Sequence, residues 1–113
     1  CHGRIARVLE AIAEMEPDGL DPIEPPPQGD VQLRDVRQRY GDRMVLFGNL
    51  EMSDIENLPT EQFRQRVQRA LDEGTAGHGR GFVLMPSSCP YGRRLAPQTL
   101  RNYEAMIDAV VTG

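Results

Sequence analysis

Two uninterrupted apolar runs, Met44–Phe47 and Phe82–Met85, constrain this chain more than any other feature. A strand with one wet face alternates polar and apolar residues, whereas a strand covered on both faces does not. Each run is preceded by a segment with apolar residues at helical spacing. Leu33, Val36 and Tyr40 precede the first, and Phe63, Val67, Ala70 and Leu71 precede the second. A shorter strand is expected in "GLDPIE", behind a helix on which Ile5, Val8, Leu9 and Ile12 share a face. Strands alternating with helices imply right-handed crossovers and a parallel sheet. The fold class is therefore α/β, with about three parallel strands.

Punctuation refines the boundaries. The first helix is expected to begin near Gly3 and to end at "EPDG". Three consecutive prolines at 25–27 cannot continue a ladder, and Asp30 is placed to cap the second helix. Gly48 and Asn49 are expected to end the second strand, and Thr60 to cap the long helix after it. Pro97 opens a last helix expected to bury Leu100, Tyr103, Ile107, Val110 and Val111.

At 113 residues there is room for one domain. The net charge of −4 argues against a nucleic-acid partner, which would demand clustered cations. No apolar run is long enough to span a bilayer and no segment resembles a signal peptide, so no membrane partner is expected. Two widely separated cysteines do not make a disulfide framework, which points to free or metal-bound thiols and a cytoplasmic location. All positive charge is on arginine, which suits carboxylate or phosphate ligands but also follows from a biased base composition.

In parallel α/β folds the reactive loops gather at the carboxyl ends of the strands. That rule selects Glu24 after the first strand, Gly48 and Asn49 after the second, and Ser87, Ser88 and Cys89 after the third. Cys1 and His2 lie before a helix, where a further strand would end. Cys1, His2, Glu24 and Cys89 form a set of soft and borderline zinc ligands. The plain alternative makes Cys89 a small core residue and His2 a helix cap. Glu24 suits a general base or a substrate anchor. Asn49 has an amide to offer a carboxylate or carbonyl, and Arg93 with Arg94 could clamp acidic groups or stay solvated.

The succession "CHGR", "PDGLDPIEPPPQGD", "RYGDRMVLFGN", "GFVLMPSSCPY" and "LAPQTLRNYEAMIDA" resembles the C-terminal part of the uroporphyrinogen decarboxylase superfamily. The resemblance runs over essentially the whole chain, and "GDRMVLFGN" is its most specific piece. It implies a TIM (β/α)8 barrel, a fold of about 250 residues. Residues 1–113 would then be its C-terminal portion, with the N-terminal part absent and "CHGR" an interior loop at the barrel mouth. The partner implied is that missing N-terminal half or, as a secondary version, a second copy in a homodimer.

The activity implied first is cofactor-free decarboxylation of the acetate side chains of a tetrapyrrole, with His2, Glu24, Asn49 and Arg93 as substrate-binding residues. The family's main acid and its arginine cluster lie in the N-terminal half, so no residue here matches them. The alternative branch is a zinc-dependent methyltransferase moving a methyl group from a corrinoid to a thiol, with Cys1, His2, Glu24 and Cys89 as the metal set. That branch's His-x-Cys-Gly loop is out of order in "CHG", while Cys89 matches its late cysteine. A non-catalytic barrel that binds a tetrapyrrole or corrinoid is the third reading.

Overall fold

A computed structural model describes residues 1–112. The elements follow in the order α1 (Leu9–Glu14), β1 (Gly19–Ile23), α2 (Leu33–Tyr40), β2 (Val45–Leu50), α3 (Met52–Asn57), α4 (Thr60–Gly74), β3 (Phe82–Pro86) and α5 (Pro97–Thr112). The strands form one parallel sheet in the order β1-β2-β3, as the alternation of patterns requires. Leu46 stands beside Leu20 on one side and Phe82 on the other.

A sequential strand order has a physical consequence. When every crossover is right-handed and each strand is laid beside the last, all crossover helices fall on the same face of the sheet. The core agrees, for Leu46 and Leu50 of β2 join Leu33 and Val36 of α2 and Phe63 and Val67 of α4 in a single cluster. Ile5, Leu9 and Ala13 close it from the α1 side. Burying each such aliphatic or aromatic side chain contributes about 1.5–3 kcal/mol.

The opposite face is only partly covered. Alternation along β2 puts Val45 and Phe47 there, both half-buried, and the register adds Val83, which is 41% exposed. The continuous apolar runs therefore do correspond to strands, but only one face of the sheet is fully covered. β1 and β3 each pair with β2 alone among the described residues, so each has an unpaired edge.

Several boundaries differ from expectation. α1 starts at Leu9, not near Gly3, although Ile5 is already buried. Asp30 does not cap α2, whose N-cap is Gln32; its carboxylate instead accepts a bond from the Ala6 amide at 3.0 Å. Pro59, not Thr60, holds the N-cap position of α4, and β2 runs past Asn49 to Leu50.

The largest correction concerns α5. Leu100, Ile107, Val110 and Val111 are exposed, between 48% and 77%, and only Tyr103 of the expected stripe is partly buried. The helix instead turns Thr99, Asn102 and Ala105 inward. Asn102 explains the choice of face. Its Nδ2 donates to the carbonyls of Ile55 (2.8 Å) and Leu58 (2.9 Å), and its Oδ1 accepts from Thr60 Oγ1 (2.9 Å). The carbonyls at the α3–α4 junction need donors; Asn102 supplies both, and Gln98 Nε2 adds a second to Leu58 at 2.6 Å.

Candidate functional site

The parallel arrangement puts the exits of all three strands at one end of the sheet, and buried polar groups collect there. Glu24 follows the last residue of β1 and is only 8% exposed. Its Oε1 accepts a hydrogen bond from His2 Nδ1 at 2.8 Å and another from the Gly3 amide at 2.9 Å. The segment before α1 is thus folded back over the β1 exit by one carboxylate. The proline-rich loop closes from the other side. At Gly29 a Cβ would lie 1.9 Å from the Glu24 carbonyl oxygen, so a side chain there would force the loop off Glu24.

Glu51 leaves the neighbouring strand β2. Its Oε2 is buried without a hydrogen-bond partner among the described residues. Burial, then the neighbouring carboxylates of Glu24 and Asp54, push its pKa above the ordinary 4.5, and His2 opposes them. Glu51 thus stands close enough to Glu24 and His2 for both to act on its carboxyl. Ser87 leaves β3 and is 4% exposed; its amide donates to the Leu50 carbonyl at 2.7 Å, while its Oγ has no partner. Leu50 and Pro86 are register neighbours, so Glu51 and Ser87 are the next residues along adjacent strands.

His2 and Glu24 are therefore brought together. Asn49 stands beside them, but its Nδ2 is already committed to the Ile23 carbonyl at 2.9 Å, where it ties the β2 exit to the β1 exit. Arg93 and Arg94 are exposed in the segment between β3 and α5. Cys1 and Cys89 are free, exposed thiols. Cys89 lies over α5 rather than in the core, near enough to Tyr103 to contribute, after burial, to raising that phenol's pKa.

Of the set Cys1, His2, Glu24 and Cys89, only His2 and Glu24 bond to each other, and among the described residues no three His, Cys, Asp or Glu side chains are grouped to hold a metal ion. No helix of the described residues is long and apolar enough to cross a membrane.

Glu51 and the buried state of Ser87 are not visible in the sequence pattern. Ending the second strand at Gly48–Asn49 places Glu51 in a connecting segment, where an acid is ordinary. The usable signal is the register: Leu50 continues the burial alternation of β2, so the residue after it stands at the rim. Compared with models of known protein families, the chain matches none. No similar sequence was found among characterised proteins.

Proposed function

We propose that this chain forms the C-terminal portion of a (β/α)8 barrel of the uroporphyrinogen decarboxylase type, removing acetate carboxyls from a tetrapyrrole without a cofactor. The observation that carries the reading is the acid–base row at the strand exits: Glu24 bonded to His2, beside Glu51, whose pKa is pushed upward by burial and by neighbouring carboxylates. A carboxyl whose pKa is raised beside a second carboxyl is one way a site supplies both an acid and a counter-charge. The fold reading is supported by the singly wound sheet with its thinly covered face, because a barrel keeps its helices outside and lines its interior with that other face. The two unpaired edges are where further strands would add.

The chemistry needed is a net exchange of CO2 for a proton. A pyrrole carbon is protonated, and the ring cation accepts the electron pair of the breaking carbon–carboxyl bond as CO2 leaves. The exocyclic methylene then takes a proton to become a methyl group, and the ring proton is returned. Glu51 is the candidate donor, Glu24 balances the cation, and His2 holds Glu24 in place. Arg93, in the loop after β3, is free to hold a side-chain carboxylate of the substrate. No step runs through a metal.

The test is turnover. The full chain is incubated anaerobically with uroporphyrinogen, and the products are oxidised and separated by carboxyl number. Stepwise loss of carboxyls that falls sharply in Glu51→Gln and Glu24→Gln supports the proposal. Tight pigment binding with no loss of carboxyls would replace it with the binding reading, and neither binding nor turnover would remove it.

A further inference from the structure

At the amino ends of the strands, far along the sheet from the acid–base row, the chain buries a charge that it does not neutralise. Arg37, in the last turn of α2, is 4% exposed. Its Nε donates to the Ala76 carbonyl at 2.9 Å. Its Nη2 lies 3.3 Å from Nδ1 and 3.4 Å from Nε2 of His78, so it points at neither ring lone pair alone. Nη1 is buried and has no hydrogen-bond partner among the described residues. Among the described residues no carboxylate pairs with this guanidinium. Asp42 meets the imidazole and not the guanidinium, its Oδ1 lying 3.0 Å from His78 Nε2.

A guanidinium cannot escape burial by losing its proton, and a buried charge without a counter-ion is among the costliest arrangements a fold can hold. The surroundings leave room for an answer. A Cβ on Gly41 would come within 2.6 Å of Arg37 Cδ, and one on Gly81 would stand 3.6 Å from Nη1, so glycines frame the guanidinium. Depressions open on either side of His78, one bordered by Arg34, Gln38 and Gly77 and the other by Arg43, Arg80 and Gly81. Three acids also border them, Asp18, Asp35 and Asp42. Asp35 is engaged by Arg34 at 3.8 Å, which leaves Asp42, beside His78, and Asp18, on the Arg80 side, as the groups that oppose an incoming anion.

We infer that the amino-end depression bordered by Arg37 binds a small oxyanion, phosphate or carboxylate, on the Arg37 fork, with Arg34 at its rim and the His78 ring giving way to admit it. The planar fork matches two oxygens of either group, and the Arg37 charge that lacks a partner supplies the attraction. His78 is suited to yield because its contacts with Arg37 are long and undirected.

The probe is inorganic phosphate, titrated into the full chain at constant ionic strength against chloride, with unfolding temperature and calorimetric heat as readouts. Saturable stabilisation by phosphate and not by chloride is expected, growing with concentration as ligand linkage requires. Arg37→Gln should weaken binding by roughly tenfold or more, and Asp42→Asn should strengthen it. Asp42→Asn keeps the guanidinium intact, so it decides the matter if Arg37→Gln fails to fold. Equal responses to phosphate and chloride, or an affinity indifferent to Asp42→Asn, would overturn the inference. Because the readout is binding at the amino ends, it is independent of any turnover at the strand exits.

Discussion

Gly48→Ala is the substitution from which most can be learned about how the strand exits are assembled. Gly48 has φ of +149°, a region that L side chains rarely adopt, and an added Cβ would sit 3.0 Å from the Ile23 carbonyl oxygen and 3.3 Å from its nitrogen. Three costs add. The backbone conformation costs about 1–2 kcal/mol for a residue with a Cβ. Forcing β1 away from β2 by a few tenths of an ångström costs about 1–3 kcal/mol. Weakening the Asn49-to-Ile23 hydrogen bond removes about 1 kcal/mol. The sum is roughly 3–6 kcal/mol, a large share of the 5–15 kcal/mol typical of a domain.

Urea unfolding measures this directly, with Gly92→Ala as the control. Gly92 has φ of +88° with nothing within 4 Å of its would-be Cβ, so it carries only the backbone cost, about 1–2 kcal/mol. The difference between the two variants isolates the packing of β1 against β2. Equal losses in both would refute the claim that β1 packs tightly against β2 where Ile23 meets Gly48.

Three other outcomes follow from the same geometry. Asn102→Ala should cost about 3–4 kcal/mol in urea unfolding, since three hydrogen bonds go and the Ile55 carbonyl is left buried without a donor. Glu51→Gln should alter the pH dependence of stability. The folded-state pKa of Glu51 is raised, so its favourable contribution is complete below 4.5 and is lost as pH rises through the raised value. The variant should therefore match wild type at low pH and exceed it at neutral pH, and a difference that shrinks with rising pH would contradict the burial of Oε2. Cys89→Ser should leave metal content and fold stability unchanged within about 0.5 kcal/mol, as expected of an exposed thiol; stoichiometric zinc lost in that variant would favour the methyltransferase reading.

The alternation of patterns was enough to read the parallel sheet and the sequence of its elements, because a buried strand and an amphipathic helix have different periods. The meeting of His2 and Glu24 was legible for a related reason: the residue after a parallel strand stands at the carboxyl end of the sheet, where the segment before the first helix was also placed. What could not be read was decided by tertiary hydrogen bonds. The stripe of Leu100, Ile107, Val110 and Val111 has the better hydrophobic period, yet α5 buries the face bearing Asn102, because the α3–α4 junction exposes carbonyls that need that amide. Asp30 bonds a backbone amide twenty-four residues away rather than its own helix, which no local capping rule anticipates. Glu51 stayed hidden because its significance lies in a buried oxygen with no donor, a property of the assembled rim and not of the residue type.

The central claim is that the tetrapyrrole meets the chain at the carboxyl ends of the strands. Backbone amide resonances of the full chain, followed while uroporphyrin is added as an unreactive oxidised ligand, test this most directly. The account predicts saturable shifts at Gly3, Glu24, Asn49, Glu51 and Ser87. Shifts confined to Arg37 and Gly77–Gly81, or no saturable shifts at all, would contradict it.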